Sequence, residues 1–177
     1  MVPLALLMLL TQGNASLQLR GIDGRYYRPL SEKGTSVLIF TTRECPISNA
    51  YAPEINRIAK EYSSRKVRLY LVNVEPGVKP AEVKRHAIEY RIASPVLLDE
   101  RQALARAVGA KVTPEAAVLR SGKLMYLGRI DDQFFALGGR RPKVSSRDLR
   151  DALEAVIAGK KVRAPQVRAV GCLLPAR

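Results

Sequence analysis

Four consecutive apolar residues, Val37-Leu38-Ile39-Phe40, end five positions before Cys45, and this junction restricts the fold more than any other feature of the chain. A run without polar alternation belongs to a strand covered on both faces, so helices must pack on both sides of its sheet. From Pro46 the pattern changes. Ile47, Tyr51, Ile55, Ile58 and Tyr62 recur every three or four residues, the period of a helix with one buried side. Pro46 suits the first helical turn, where an N–H has no partner, and Pro53 predicts a kink further along. The cysteine is therefore expected where a buried strand hands over to a helix.

The remaining segments extend this pattern. Leu17-Gln18-Leu19, the turn at Asp23-Gly24 and Tyr26-Tyr27 read as an N-terminal β-hairpin. A strand is expected over Val67 to Val74, a helix over Pro80 to Tyr90, a short strand at Pro95 to Leu98 and a short helix over Glu100 to Val108, ended by Gly109. Ala116 to Leu119 and Leu124 to Leu127 flank Ser121-Gly122 as a hairpin, and Ser145 with Asp148 predicts a capped last helix over Leu149 to Ala158. This order predicts an α/β fold, a central mixed β-sheet flanked by helices, in one domain over 16–159. A C-terminal tail over 160–177, carrying Cys172, reads as extended and irregular.

Met1 to Leu10 is apolar but too short to span a bilayer as a helix. Its length fits the core of a secretory signal over 1–15, with the small residues Gly13 and Ala15 at the positions a signal peptidase reads, although no Lys or Arg precedes Arg20. The expected location is periplasmic or secreted, and cytoplasmic if the run packs on the domain instead.

The balance of 30 Lys and Arg against 16 Asp and Glu gives a formal charge of +14. The basic residues are spread along the chain among acidic ones, without a zinc-finger spacing or an RNA-binding aromatic signature, so a solvated basic surface is expected and no specific nucleic acid. Two cysteines and one histidine cannot supply a four-ligand zinc set, so neither a metal nor a cofactor is expected. His86 reads as a surface residue, and Asp131-Asp132 as solvated or paired with arginine.

At a strand-to-helix junction, unpaired N–H groups and the helix dipole favour an anion, and the thiolate is the reactive form of a cysteine. Cys45 is thus a candidate nucleophile. Pro46 leaves the next position without an N–H, and Ser48, three residues on, faces the same side and can donate to the sulfur.

Cys45-Pro46-Ile47-Ser48 followed by Ala52-Pro53 resembles the active-site helix of the thioredoxin-like superfamily, in which Cys-x-x-Cys precedes Ala-Pro at the same distance. Phe40 matches the aromatic residue of the preceding strand, and Val112-Thr113-Pro114 is similar to the cis-proline loop. The opening hairpin, Glu44 to Asn49, Gly128 to Asp132 and Gly171-Cys172 resemble bacterial exported redoxin proteins of the AhpC/TSA type. The resemblance implies a thioredoxin-like fold and a thiol-dependent oxidoreductase acting on protein or small-molecule disulfides. In it Cys45 attacks, Ser48 hydrogen-bonds the sulfur, and Thr113, Pro114, Thr42 and Pro46 line the place where the partner docks.

Three departures shape that expectation. Ser48 replaces the second cysteine, Ile39 replaces a buried acid, and the peroxiredoxin pattern of Pro and then Thr before the cysteine keeps Thr42 but has Leu38 at the proline position. Cys172 becomes the candidate resolving thiol, the alternative being an unpaired or intermolecular one. Two other readings stay open. One is a thiol peroxidase, passing through a sulfenic acid with Thr42 and Arg43 or Arg129 polarising peroxide. The other is a redox-silent binding module using the Pro114 groove and the basic surface.

Overall fold

A computed structural model describes residues 17–176, so the leader expected over 1–15 lies outside the described residues. The chain opens with an antiparallel pair, β1 (Leu19–Gly21) and β2 (Tyr26–Tyr27), and continues into β3 (Thr35–Thr41). The helix after Cys45 is broken in two, α1 (Pro46–Ala50) and α2 (Ala52–Ser63), because Pro53 cannot donate an N–H to the preceding turn. There follow β4 (Val67–Asn73), α3 (Pro80–Glu89), β5 (Val96–Leu98) and α4 (Ala103–Val108). Next come β6 (Val112–Thr113), β7 (Glu115–Arg120) and β8 (Lys123–Gly128). A small hairpin of β9 (Phe134–Ala136) and β10 (Gly139–Arg140) then leads to α5 (Asp148–Ile157).

Eight strands form one sheet in the order β11-β8-β7-β3-β4-β5-β1-β2, where β11 (Gln166–Val167) comes from the C-terminal segment. The sheet is mixed. β3 runs parallel to β4, with Val37 opposite Leu69, and antiparallel to β7, with Val37 opposite Val118. Alternation along β3 sends Val37 and Ile39 to one face and Leu38 and Phe40 to the other, and all four are fully buried. The first face is covered by α2, α3 and α5 through Ile55, Ile58, Tyr62, Val83, Leu149 and Leu153. The second is covered by α4 through Leu104, Ala105 and Val108. Two-sided burial of the apolar run is what makes β3 a rigid base for the loop that carries Cys45.

Two local expectations are corrected. Ser145 does not cap α5, since its N–H and hydroxyl both go to the Asp132 carboxylate, and the residue before the helix, Arg147, makes no side-chain cap. The tail beyond α5 is extended but not irregular. β11 pairs in parallel with β8, and β12 (Cys172–Leu173) pairs antiparallel with β6. The close approach of β11 requires Gly128, where a Cβ would lie 2.3 Å from the Val167 carbonyl oxygen.

Candidate functional site

The turn after β3 fixes where the sulfur sits. The Cys45 N–H donates to the Thr42 carbonyl (3.4 Å), and the Cys45 carbonyl accepts from the Asn49 N–H (3.0 Å), which starts the helix at Pro46. The Asn49 side chain donates to the Arg43 carbonyl at 2.8 Å and meets His86 Nε2 at 2.8 Å. Arg43 is held from its far side by Glu75 (3.0 Å) and Glu82 (3.3 Å). His86 is therefore half-buried and part of the scaffold under α1, a correction to its reading as a surface residue.

Around the sulfur the structure brings together residues far apart in sequence. Cys45 Sγ lies 3.0 Å from the Thr113 carbonyl oxygen, to which it donates when protonated. The Thr42 and Thr113 hydroxyls meet at 3.4 Å, and the Thr113–Pro114 peptide is cis. Cys172 Sγ lies 2.8 Å from Cys45 Sγ, and both cysteines are free thiols. Cys45 is 1% exposed, and Cys172 is part of what covers it.

The two thiols differ in acidity. Burial pushes the Cys45 thiol up, but the polar groups of Cys172, Ser48 and Thr113 around the sulfur outweigh burial and leave it below its ordinary value. Ser48 Oγ is buried and has no hydrogen-bond partner among the described residues, so the hydroxyl donation to the sulfur expected from the sequence is not made. Cys172 is pushed up to about 11, by burial first and then by its hydrogen bond to Cys45 and the charge on that sulfur. Cys45 is thus the more acidic of the two thiols, and Cys172 is placed to donate to its sulfur.

Ultraviolet titration of the thiolates in the reduced protein is expected to show two separate steps, the lower from Cys45, moved down from its ordinary value, and the upper from Cys172, pushed up to about 11. A Cys45→Ser variant should lose the lower step. Because the folded value of Cys45 is the depressed one, its contribution to stability is present above the unfolded value and is lost as pH falls through the folded one. Cys172, being raised, contributes below its unfolded value and loses this as pH rises through about 11. Two superimposed steps at the ordinary value would show that the site does not acidify Cys45.

Several residues that shape the site carried no local signal in the sequence. Gln102 Nε2 donates to the Pro175 carbonyl (2.8 Å) and the Val74 carbonyl (3.2 Å), clamping the tail to the end of β4. Glu115 accepts from the Lys111 N–H at 2.7 Å and so holds the loop leading into β6. Asp131 and Asp132 are both buried, contrary to the solvated reading. Asp131 accepts from the Tyr51 hydroxyl at 2.5 Å, and Asp132 accepts from the Ser145 and Ser146 N–H groups and faces Arg141 at 3.5 Å. Arg129 is bound to Asp148 at 2.7 Å. Among the described residues, no three His, Cys, Asp or Glu side chains come together in a way that could hold a metal ion. No helix among them is long and apolar enough to cross a membrane.

A buried strand, a cysteine before a helix and a threonine-proline loop against its sulfur are joined here by a match of residues 17–126 to the model of the AhpC/TSA family. The chain belongs to the AhpC/TSA family. Among curated proteins, none matches the sequence.

Solved structures share the fold of this AhpC/TSA protein. A conserved protein from Geobacillus kaustophilus described as uncharacterized is 26% identical, with a TM-score of 0.77 over 91% of this chain and 88% of its own. A hypothetical protein from Sinorhizobium meliloti 1021 is 24% identical, with a TM-score of 0.75 over 89% of each chain. A secreted Mycobacterium tuberculosis disulfide oxidoreductase, homologous to E. coli DsbE, is 15% identical, with a TM-score of 0.59 over 84% of this chain and 98% of its own. The AhpC/TSA protein thus has the mixed-sheet, thioredoxin-like fold, and its family supports a thiol redox role in general terms.

Proposed function

We propose that this protein is a thiol–disulfide oxidoreductase in which Cys45 is the attacking thiol and Cys172 the resolving one. The observation that carries the reading is the 2.8 Å approach of the two sulfurs, beside the Thr113 carbonyl, in a chain whose motif lacks a second cysteine. The Cys45 thiolate attacks one sulfur of a partner disulfide, forming a mixed disulfide and releasing the other sulfur as a thiolate. Cys172, giving its proton to solvent, then attacks Cys45 and expels the remaining partner thiolate. The two electrons gained by the partner are those lost by the Cys45–Cys172 pair.

The acidity difference orders these steps. In the reduced protein the charge on Cys45 helps keep Cys172 protonated. Once Cys45 is capped by the partner that charge is gone, Cys172 ionises more readily, and the second attack becomes possible. Thr113 and Pro114 form the docking edge, Thr42 meets the Thr113 hydroxyl, and Pro46 and Ser48 shape the start of the helix beneath the sulfur.

A disulfide is favoured over a peroxide because both arginines that could polarise a peroxide are occupied. Arg43 is bound by Glu75 and Glu82, and Arg129 by Asp148. The test is to treat the reduced protein with a small excess of oxidised glutathione and map its peptides by mass. The expected product is a Cys45–Cys172 cross-link, two hydrogens lighter, with release of reduced glutathione. Two thiols that stay free, or oxidation by hydrogen peroxide far faster than by the disulfide, would overturn the reading.

A further inference from the structure

The edge that an external partner needs is already occupied by the chain itself. β12 lies antiparallel to β6 with Cys172 opposite Thr113 and Leu173 opposite Val112, and the Leu174 N–H donates to the Lys111 carbonyl at 3.2 Å. This is strand addition, in which main-chain hydrogen bonds hold an extended peptide and alternate side chains are read by what lies beneath them. The side chains differ in what they meet. Val170 and Cys172 pack against the core cluster that includes Cys45, and Leu174 packs against the cluster on the other face of the sheet. Leu173, by contrast, is 80% exposed and unread.

The residue before the cysteine is restricted most. A Cβ at Gly171 would lie 2.2 Å from the Thr113 carbonyl oxygen, 2.7 Å from its carbon and 3.2 Å from the Pro114 nitrogen. All three are backbone atoms, so no flexible side chain can give way. Gly171 is absent from the glycines with positive φ, so glycine stands here for space and not for conformation.

We propose that the Val112–Thr113 edge is a peptide-binding strand selective for an extended segment whose reactive cysteine directly follows a glycine, and that residues 170–174 are its built-in occupant. The inference rests on the function proposed above and names the substrate class of that site. A partner peptide displaces the tail from the edge, takes up the Thr113 pairing and delivers its sulfur to Cys45. Return of the tail to the same edge brings Cys172 back and expels the partner, so docking and release are alternative occupations of one strand position.

The test uses the full reduced chain and two peptides, acetyl-Val-Gly-Cys-Leu-Leu-amide and acetyl-Val-Val-Cys-Leu-Leu-amide, each carrying thionitrobenzoate in mixed disulfide on its cysteine. Cys45 thiolate attacks the peptide sulfur, the sulfur–sulfur bond to thionitrobenzoate breaks, and that thiolate leaves with the electron pair, giving a colour change. Rates are divided by those of the same peptides with dithiothreitol, which removes intrinsic differences between them. The glycine peptide is expected to react about tenfold faster or more, the discrimination typical of a site that rejects added methylenes.

In a Gly171→Val chain the tail cannot seat. Its reaction with the glycine peptide should speed up several-fold, while subsequent release of the peptide by Cys172 slows. Equal normalised rates for the two peptides, or an unchanged rate in Gly171→Val, would overturn the inference and leave the proposed function standing. No release from either peptide by a verified Cys45 thiol would overturn both.

Discussion

Replacing Cys45 with serine should abolish disulfide exchange, leaving insulin reduction by dithiothreitol at the rate seen without the protein. A serine hydroxyl is not ionised near neutral pH, and the second thiol cannot take over. Cys172 is held up by burial even when the charge on its neighbour is removed, and it sits on a strand instead of at a helix start. A Cys172→Ser chain is expected to behave differently, because the first attack survives and the second does not. The mixed disulfide at Cys45 should then accumulate and be isolated on a non-reducing gel. Undiminished insulin reduction by the Cys45→Ser chain would remove the thiol from the mechanism.

Phe40→Ala is expected to destabilise the protein by about 3–5 kcal/mol, a large share of the roughly 5–15 kcal/mol of total stability typical of a domain. Phe40 is fully buried on the α4 face of β3, in a cluster with Leu104, Ala105, Val108, Val72 and Leu97. Truncation loses the transfer energy of the ring and leaves a cavity between a central strand and a short helix. The effect reaches the site because Phe40 is two residues before Thr42, whose carbonyl receives the Cys45 N–H. Urea unfolding followed by circular dichroism should show a lower midpoint with little change in slope. A shift below about 1 kcal/mol would mean that the ring's place is refilled by its neighbours.

The two predictions probe different dependencies of the same loop. Cys45→Ser leaves the scaffold in place and removes the reacting atom. Phe40→Ala keeps the sulfur and loosens the strand that aims it. If both lose activity, only the second should recover part of it in a stabilising osmolyte, which strengthens burial and raises the folded population.

How far the sequence could be read depended on the range of each signal. The apolar run of β3, the helical period after Pro46, the break near Pro53 and the stop at Gly109 are each decided within a few residues, by burial on both faces or by a backbone that cannot donate. The placement of Cys45 before a helix, and of Thr113-Pro114 before β7, follows from the same local rules together with the thioredoxin-like resemblance. Asp132 does pair with an arginine, Arg141, as one of the two readings had it, but the burial of both carboxylates left no mark, because adjacent carboxylates say nothing about which hydroxyls and N–H groups will close over them. The relevant partners, Tyr51 and Ser145, come from 80 residues before Asp131 and 13 after Asp132.

Local pattern alone determined that this chain would make a covered mixed sheet and set a cysteine at the start of a helix, because period, capping and proline chemistry act between near neighbours. Only the tertiary structure decided that Cys172, 127 residues away, would rest against that cysteine, and that Gly171 and Gln102 would seat the strand carrying it. The physical reason is that an open sheet edge offers the same row of N–H and C=O groups to any extended segment. Which segment takes it depends on chain path and close contact, and neither leaves a periodic mark in the residues.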